Sequence, residues 1–175
     1  MLKDKPKLQE SKSYKFLSQN NNSSLILVAH NSKFVLEMLE RSGFIYDGKV
    51  IDTLRVAKHL IPECESYALN FLRYELKLYK KEDLLLIPHN ALSDAKIVKN
   101  LFDYLLEMVT IEEMLELSYK NVLLQKIGFG KYKGSYIEEI CYNDRAYLEW
   151  LLNAMQDLDE DLRYSIEYYL KGSSF

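Results

Sequence analysis

Leu25-Ile26-Leu27-Val28-Ala29 is an unbroken apolar run between the loop Asn20-Asn21-Asn22-Ser23-Ser24 and His30-Asn31. A strand with one wet face alternates apolar and polar side chains. A continuous apolar run of this length predicts a strand buried on both faces, as in parallel sheets. Ser32 through Arg41 follows as a predicted helix, with Phe34, Leu36, Met38 and Leu39 inward and Gly43 at its end. Val50-Ile51 reads as a second short strand, running into a helix over Thr53–Leu60 that Pro62 stops. Strand then helix, twice over, implies a parallel sheet covered by helices, an α/β architecture. Two parallel strands alone make a poor sheet. The first strand is therefore expected to need another neighbour, which the residues before it do not supply.

Around this centre the chain reads as mostly helical. Residues 6–18 form a weak amphipathic helix opened by Pro6. Ser66–Leu78 carries Leu69, Leu72 and Leu76 on one face, and Lys80-Lys81-Glu82-Asp83 reads as a solvated loop. Pro88 breaks the chain before a helix from Asn90 to about Val109, whose expected buried face is Ala91, Ala95, Val98, Leu101, Phe102 and Leu105. Thr110 with Glu113 forms a capping box that starts a helix to about Leu124. From there the character changes. Ile127-Gly128-Phe129-Gly130-Lys131-Tyr132-Lys133-Gly134 predicts a tight hairpin, followed by helices over Asp144–Leu152 and Asp161–Leu170. The expected division is residues 1–109, a connector helix at 110–125, and a small α+β module at 126–175.

Several function classes are excluded by composition. The 175 residues are 48% hydrophobic and 28% charged, as in a soluble globular protein. No apolar run approaches a membrane span, and Met1-Leu2-Lys3-Asp4-Lys5-Pro6-Lys7 is no signal peptide. Cys64 and Cys141 are isolated from each other and from metal-ligand spacing, which suits reduced thiols in a cytoplasm. A net charge of −3 gives no bulk attraction to nucleic acid, so any such binding needs a local basic patch or metal ions.

The most chemically suggestive pair is His89 and Asp94, at the opening of the helix after Pro88. Both can point above a helix N-terminus, where a histidine can accept a proton and a carboxylate can hold a cation. The alternative is an exposed histidine and a first-turn aspartate that steadies the helix end.

Three segments in order, Leu27-Val28-Ala29-His30-Asn31-Ser32-Lys33-Phe34, Ile51-Asp52-Thr53-Leu54 and His89-Asn90-Ala91-Leu92-Ser93-Asp94-Ala95, resemble the second and third motifs of the DnaQ-like 3′–5′ exonucleases. The proofreading subunit of DNA polymerase III belongs to that family. The resemblance implies a ribonuclease H-like fold that hydrolyses single-stranded DNA or RNA 3′ ends with two Mg2+ or Mn2+ ions. It implies His89 as general base, Asp94 as metal ligand, and His30, Asn31 and Phe34 beside the nucleic acid. It also exposes departures. The family's Asp-x-Glu strand has no counterpart here, and Asp4 and Glu10 lie on no strand-like run. Val35 stands where the second motif has a metal-binding aspartate, and valine offers a hard cation no oxygen. Asp52 matches a position that binds no metal, so it reads as structural. The expectation is an incomplete fold lacking its first strands, with three of four carboxylates absent and catalysis impaired. A non-catalytic nucleic-acid-binding or protein-interaction module is the alternative.

The order FGKYKG, DRAYLEWLL, DLRYSIEYYL resembles the C-terminal module of exonucleases of the exodeoxyribonuclease X type. Lys131, Tyr132 and Lys133 on its turn could meet a phosphate and a base. Alternatively the lysines are solvated, and Phe129, Tyr147, Trp150 and Leu151 form a minimal core. Seven basic and twelve acidic residues from 111 to 175 confine any contact there to a small patch. The expected partners are nucleic-acid 3′ ends, a DNA polymerase, and a second copy paired through the open sheet edge.

Overall fold

A computed structural model describes residues 8–82 and 91–172. Its sheet has two strands, β1 (Ile26–Ala29) and β2 (Lys49–Asp52), paired in parallel with Leu27 opposite Val50 and Ala29 opposite Asp52. Between them runs helix α2 (Ser32–Arg41), and β2 leads directly into α3 (Thr53–Leu60). The predicted strand–helix–strand–helix order therefore holds. At the head of the chain, a single 3-10 turn at Leu8–Glu10 precedes α1 (Lys12–Asn20), which Ser11 caps by accepting the Tyr14 N–H.

β1 departs from expectation. Ile26, Leu27 and Val28 are only half-buried, and Ala29 alone of the strand is buried. The backbone explains why. Lys49 N–H donates to the Leu25 carbonyl, and in a parallel ladder alternate residues face the same neighbour. Ile26 and Val28 therefore turn their backbone groups away from β2, toward an edge with no strand on it among the described residues. The opposite edge of the sheet is covered. There Asp52 N–H donates to Ser118 Oγ of α6 (Ile111–Tyr119), 2.9 Å away.

α2 also differs from its prediction, because Phe34 and Met38 are exposed and no residue of the helix is fully buried. It packs on both strands, with no residue of its own fully covered. α4 (Leu69–Glu75) is shorter than predicted, and a 3-10 turn at Leu78–Lys81 follows it. Glu82 is no solvated loop residue. Its carboxylate is buried against Arg73, with Nε donating at 2.8 Å and Nη2 also bonded. In α5 (Ala91–Leu106) the buried stripe is Ser93, Ile97, Leu101 and Leu105, each four residues on. Ala91 and Ala95, predicted inward, are exposed because each lies two positions from the stripe, on the opposite side of the helix.

One apolar cluster joins Ile51, Val56, Leu72, Leu101, Leu105 and Met114, so α6 packs on the first half of the chain. Thr110 and Glu113 make the predicted reciprocal cap, but α6 ends at Tyr119 and the chain then runs extended. A second cluster holds Ile127, Ile140, Leu148, Leu151, Ile166 and Leu170. It is built from α7 (Ile137–Asn143), α8 (Arg145–Ala154) and α9 (Glu160–Gly172). The sequence reading passed over α7, a two-turn helix whose inward positions are only Ile137, Ile140 and Cys141. The hairpin forms as a tight turn, with Gly130 and Gly134 at positive φ and Gly134 N–H donating to Ile127 O. Its ladder is a single antiparallel bridge, Lys126 to Tyr136, so the β content of this module is minimal. Phe129 and Trp150 are exposed, and the core that was to include them is aliphatic instead.

The two clusters are stapled by Asp161. Its carboxylate accepts from Arg55 Nη1 and Nη2 at 3.0 and 2.9 Å and from Val122 N–H at 2.9 Å. Among the described residues no helix is long and apolar enough to cross a membrane.

Candidate functional site

The site grows from a carboxylate at the end of β2. Asp52 is buried, and parallel register sets it beside Ala29, where β1 gives way to the 30–32 corner. It accepts from Asn31 N–H (3.0 Å), Ser32 N–H (2.8 Å) and the Ser32 hydroxyl (2.9 Å), and it caps α3 through Leu54 N–H (3.0 Å). One anion thus sits at the N-termini of both α2 and α3, where unpaired N–H groups and the helix dipoles favour negative charge. Asn31 is held at φ 64°, a left-handed conformation that asparagine tolerates better than most residues. The structural reading of Asp52 fits this bonding.

This corner directs His30 inward. Its Nε2 lies 2.8 Å from the Tyr67 carbonyl, which can only accept, so Nε2 carries the proton. Nδ1 lies 3.0 Å from Thr53 Oγ1, which is also 3.2 Å from the Ala29 carbonyl. The Thr53 hydroxyl donates to the Ala29 carbonyl while lying within hydrogen-bond distance of Nδ1. Burial pushes the imidazole below its ordinary pKa, against the Tyr67 hydrogen bond and the negative Asp52, which raise it. His30 is consequently neutral near pH 7 and pins the α3–α4 connection to the end of β1.

Alongside the open edge of β1 lies a groove of about 580 Å3. Leu27 and Val28 form its floor, Phe34 and Val35 of α2 one wall, and Asp94 and Val98 of α5 the other. His30 and the start of α4, Ala68–Asn70, close its end. The structure thus brings Asp94, His30, Phe34 and Val35 to one groove. Asn31 is exposed at the neighbouring cap position. His89 lies outside the described residues. Lys131, Tyr132 and Lys133 belong to the other half of the chain. Lys131 Nζ and Tyr132 OH both reach Asp144 Oδ2, at 2.9 and 2.8 Å, while Asp144 also caps α8. Lys133 is exposed.

Sequence reasoning missed Thr53, Tyr67 and Ala68–Asn70 as part of the site. Their approach depends on the α3–α4 connection folding back onto β1, and no local periodicity signals it. Asn70 is notable because its side-chain carbonyl is buried with no hydrogen-bond partner among the described residues.

The donor set tests the expected metals. Two-cation hydrolysis needs several carboxylates to offset cation repulsion. Among the described residues Asp94 is the single carboxylate lining the groove, and Val35 contributes none. Among the described residues no group of three or more His, Cys, Asp or Glu side chains could hold a metal ion. The described residues therefore do not fit a two-metal centre. What the described residues offer instead is an exposed phenyl face, apolar neighbours and the Asp94 carboxylate.

Residues 127–156 match the family described as exodeoxyribonuclease X-like C-terminal. Over 148 residues, 83% of this chain, the sequence is 28% identical to exodeoxyribonuclease 10 of Escherichia coli strain K12, and equally to that of strain O6:H1. The chain spans 65% of the length of these relatives. Over 128 residues, 70% of this chain, it is 30% identical to the PolC-type DNA polymerase III of Caldanaerobacter subterraneus subsp. tengcongensis, of which it covers 8%. No solved structure matches. The likeness to the DnaQ-like exonucleases read from the sequence is borne out, as is the likeness of the C-terminal module to the exodeoxyribonuclease X type.

Proposed function

We propose that this chain, a relative of the DnaQ-like exonucleases, binds single-stranded nucleic-acid 3′ ends in the groove beside β1 and, by itself, hydrolyses them poorly or not at all. The observation that carries this is the convergence of Asp94, Phe34 and the His30 corner on one groove, where Asp94 is the one lining carboxylate among the described residues. On this reading the fold is ribonuclease H-like. Phe34 stacks the terminal base, and Asn31 stands at the groove mouth. Asp94 is one ligand of a Mg2+ or Mn2+ site that needs further carboxylates. His89 is the group that would take a proton from water. Because a site of interdependent groups loses orders of magnitude in rate when one essential member is missing, slow cleavage is the expected behaviour of the isolated chain.

A second reading has one specific observation in its favour. Ile26 and Val28 turn their backbone groups to an edge that carries no strand among the described residues, which is where a strand from another chain, or a second copy, would pair. A strand carrying carboxylates there would lie against the groove and complete the donor set. The test is a divalent-ion-dependent assay on a 3′-labelled single strand, run beside a binding titration. Salt-sensitive binding with little or no cleavage, weakened by Phe34→Ala, supports the proposal. Brisk cleavage by the purified chain, abolished by His89→Ala and by Asp94→Asn, overturns the impairment and restores a full nuclease.

A further inference from the structure

A second concavity, about 420 Å3, lies between the two halves of the molecule, on the far side of the α3–α4 connection from the groove. Pro62, Glu63, Cys64, Glu65 and Tyr67 of that connection line this cleft, and the next three residues, Ala68 to Asn70, line the groove. The two cavities therefore share one wall, which His30 holds in place through the Tyr67 carbonyl.

The chemistry of the cleft is divided. Pro62, Val122 and Leu124 give it an apolar interior with the Tyr67 side chain beside them. Lys58 comes from α3, and Lys126 and Lys133 from the hairpin. Glu63 and Glu65 also line it, but Glu63 is taken up by Lys126 Nζ at 4.0 Å and by the Tyr136 hydroxyl at 3.3 Å. Lys58 and Lys133 make no ion pair among the described residues. On a chain of net charge −3, the wall of this cleft is net positive. An apolar, aromatic interior under a lysine rim is what a nucleotide requires, base inside and phosphate at the rim. The volume lies within the range of about 300–1,000 Å3 typical of small-ligand clefts, which favour domain junctions.

We infer that the cleft between the halves is a subsite for one unpaired nucleotide of a single DNA strand whose 3′ end lies in the groove, with Lys58 and Lys133 meeting its flanking phosphates. This rests on the proposed binding of 3′ ends. It also gives the C-terminal module a role, since Lys133 and the Val122–Ile127 segment reach the strand only because Asp161 staples the halves together.

Cys64 offers a reporter. It is half-buried and lines the cleft, whereas Cys141 is buried in the second core. A short oligothymidylate is added to the full chain in EDTA, and the rate of Cys64 modification by a small disulfide reagent is followed. The expected result is a slowing of about tenfold at saturation, lost in the Lys58→Gln/Lys133→Gln variant. That variant should also lower the slope of log affinity against log salt by about 1.4, the value for two single-strand phosphate contacts. An unchanged Cys64 rate at saturating oligonucleotide, or equal protection in the variant, overturns the subsite. Phe34→Ala separates the two proposals. If it weakens binding while Cys64 stays reactive, the groove reading stands and the cleft reading falls. If Cys64 is protected but Phe34→Ala changes nothing, the groove reading falls and the cleft site stands alone. If no oligonucleotide binds, both fall.

Discussion

Asp52 and Asp161 are equally buried, each 4% exposed, yet their bonds run in different directions. Asp52 gathers backbone N–H groups at residues 31, 32 and 54, all within the first half, and thereby shapes the corner that turns His30 toward the groove. Asp161 reaches across the molecule to Arg55 and Val122 and fixes how the two halves meet. The same contrast extends to the cores. The first half buries Thr53, Arg73, Ser93 and Ser118 around its apolar cluster, whereas the second keeps its buried polar groups, Asp161 and Ser165, at the seam. Buried polar groups are costly unless bonded, so their location marks where geometry is being specified rather than merely stabilised. By that criterion the first half specifies a site, and the second specifies a docking.

The sharpest way to break this contrast is Asp52→Ala. Four hydrogen bonds to a buried anion disappear and three buried or half-buried N–H groups lose their acceptor. At about 1.5–3 kcal/mol for a bond to a charged group, a destabilisation above about 4 kcal/mol is expected in denaturant unfolding. A loss below about 1 kcal/mol would show that the corner holds itself without the carboxylate. Asp161→Ala should rank next, at about 3 kcal/mol, because Arg55 is partly exposed and can be re-solvated where the N–H groups around Asp52 cannot. Its signature is a changed Cys64 reactivity, since the cleft depends on how the halves meet.

Much of the first half is legible in the sequence, for local reasons. The strand–helix–strand–helix order follows from the apolar runs and the stops at Gly43 and Pro62. The α6 start follows from Thr110 and Glu113, and Asp144 opens α8 as a capping residue must. What escapes is whatever depends on distant chain. Nothing local tells that Asp52 caps a helix twenty residues before it, or that Tyr67 ends against His30. Glu82 beside two lysines reads as solvated, yet Arg73 meets it nine residues away in the core. The groove itself is half legible. Asp94 and Phe34 come from recognisable motifs, but the wall from Ala68 to Asn70 comes from tertiary folding alone. His89 lies outside the described residues.

A smaller effect comes from protons. Burial lowers the pKa of both His30 and His59 below the ordinary value near 6.5. The unfolded chain therefore takes up protons first as the pH drops. Stability is fully present above about pH 6.5 and declines as the pH falls from there through the folded-state values, by at most about 1.4 kcal/mol per pH unit for each imidazole. His30→Gln should flatten part of this decline. Thermal unfolding between pH 7.5 and 5 measures it, and a stability that rises on acidification would mean the imidazoles are charged in the fold.

The smallest effect is expected where the sequence suggests a large one. Trp150 lies on the aromatic face of a predicted helix, but it is 55% exposed and its ring leans on that of Tyr147, with centroids 5.9 Å apart. Its neighbour Leu151 is buried in the second cluster. Truncating an exposed ring removes little area from cover, so Trp150→Ala should cost less than about 0.5 kcal/mol. Leu151→Ala leaves a cavity and should cost about 2–5 kcal/mol. If Trp150 proved the larger of the two, the aliphatic core would not be what holds this half. The contrast with the first half would then fail at its foundation, because an aromatic surface would be carrying the fold.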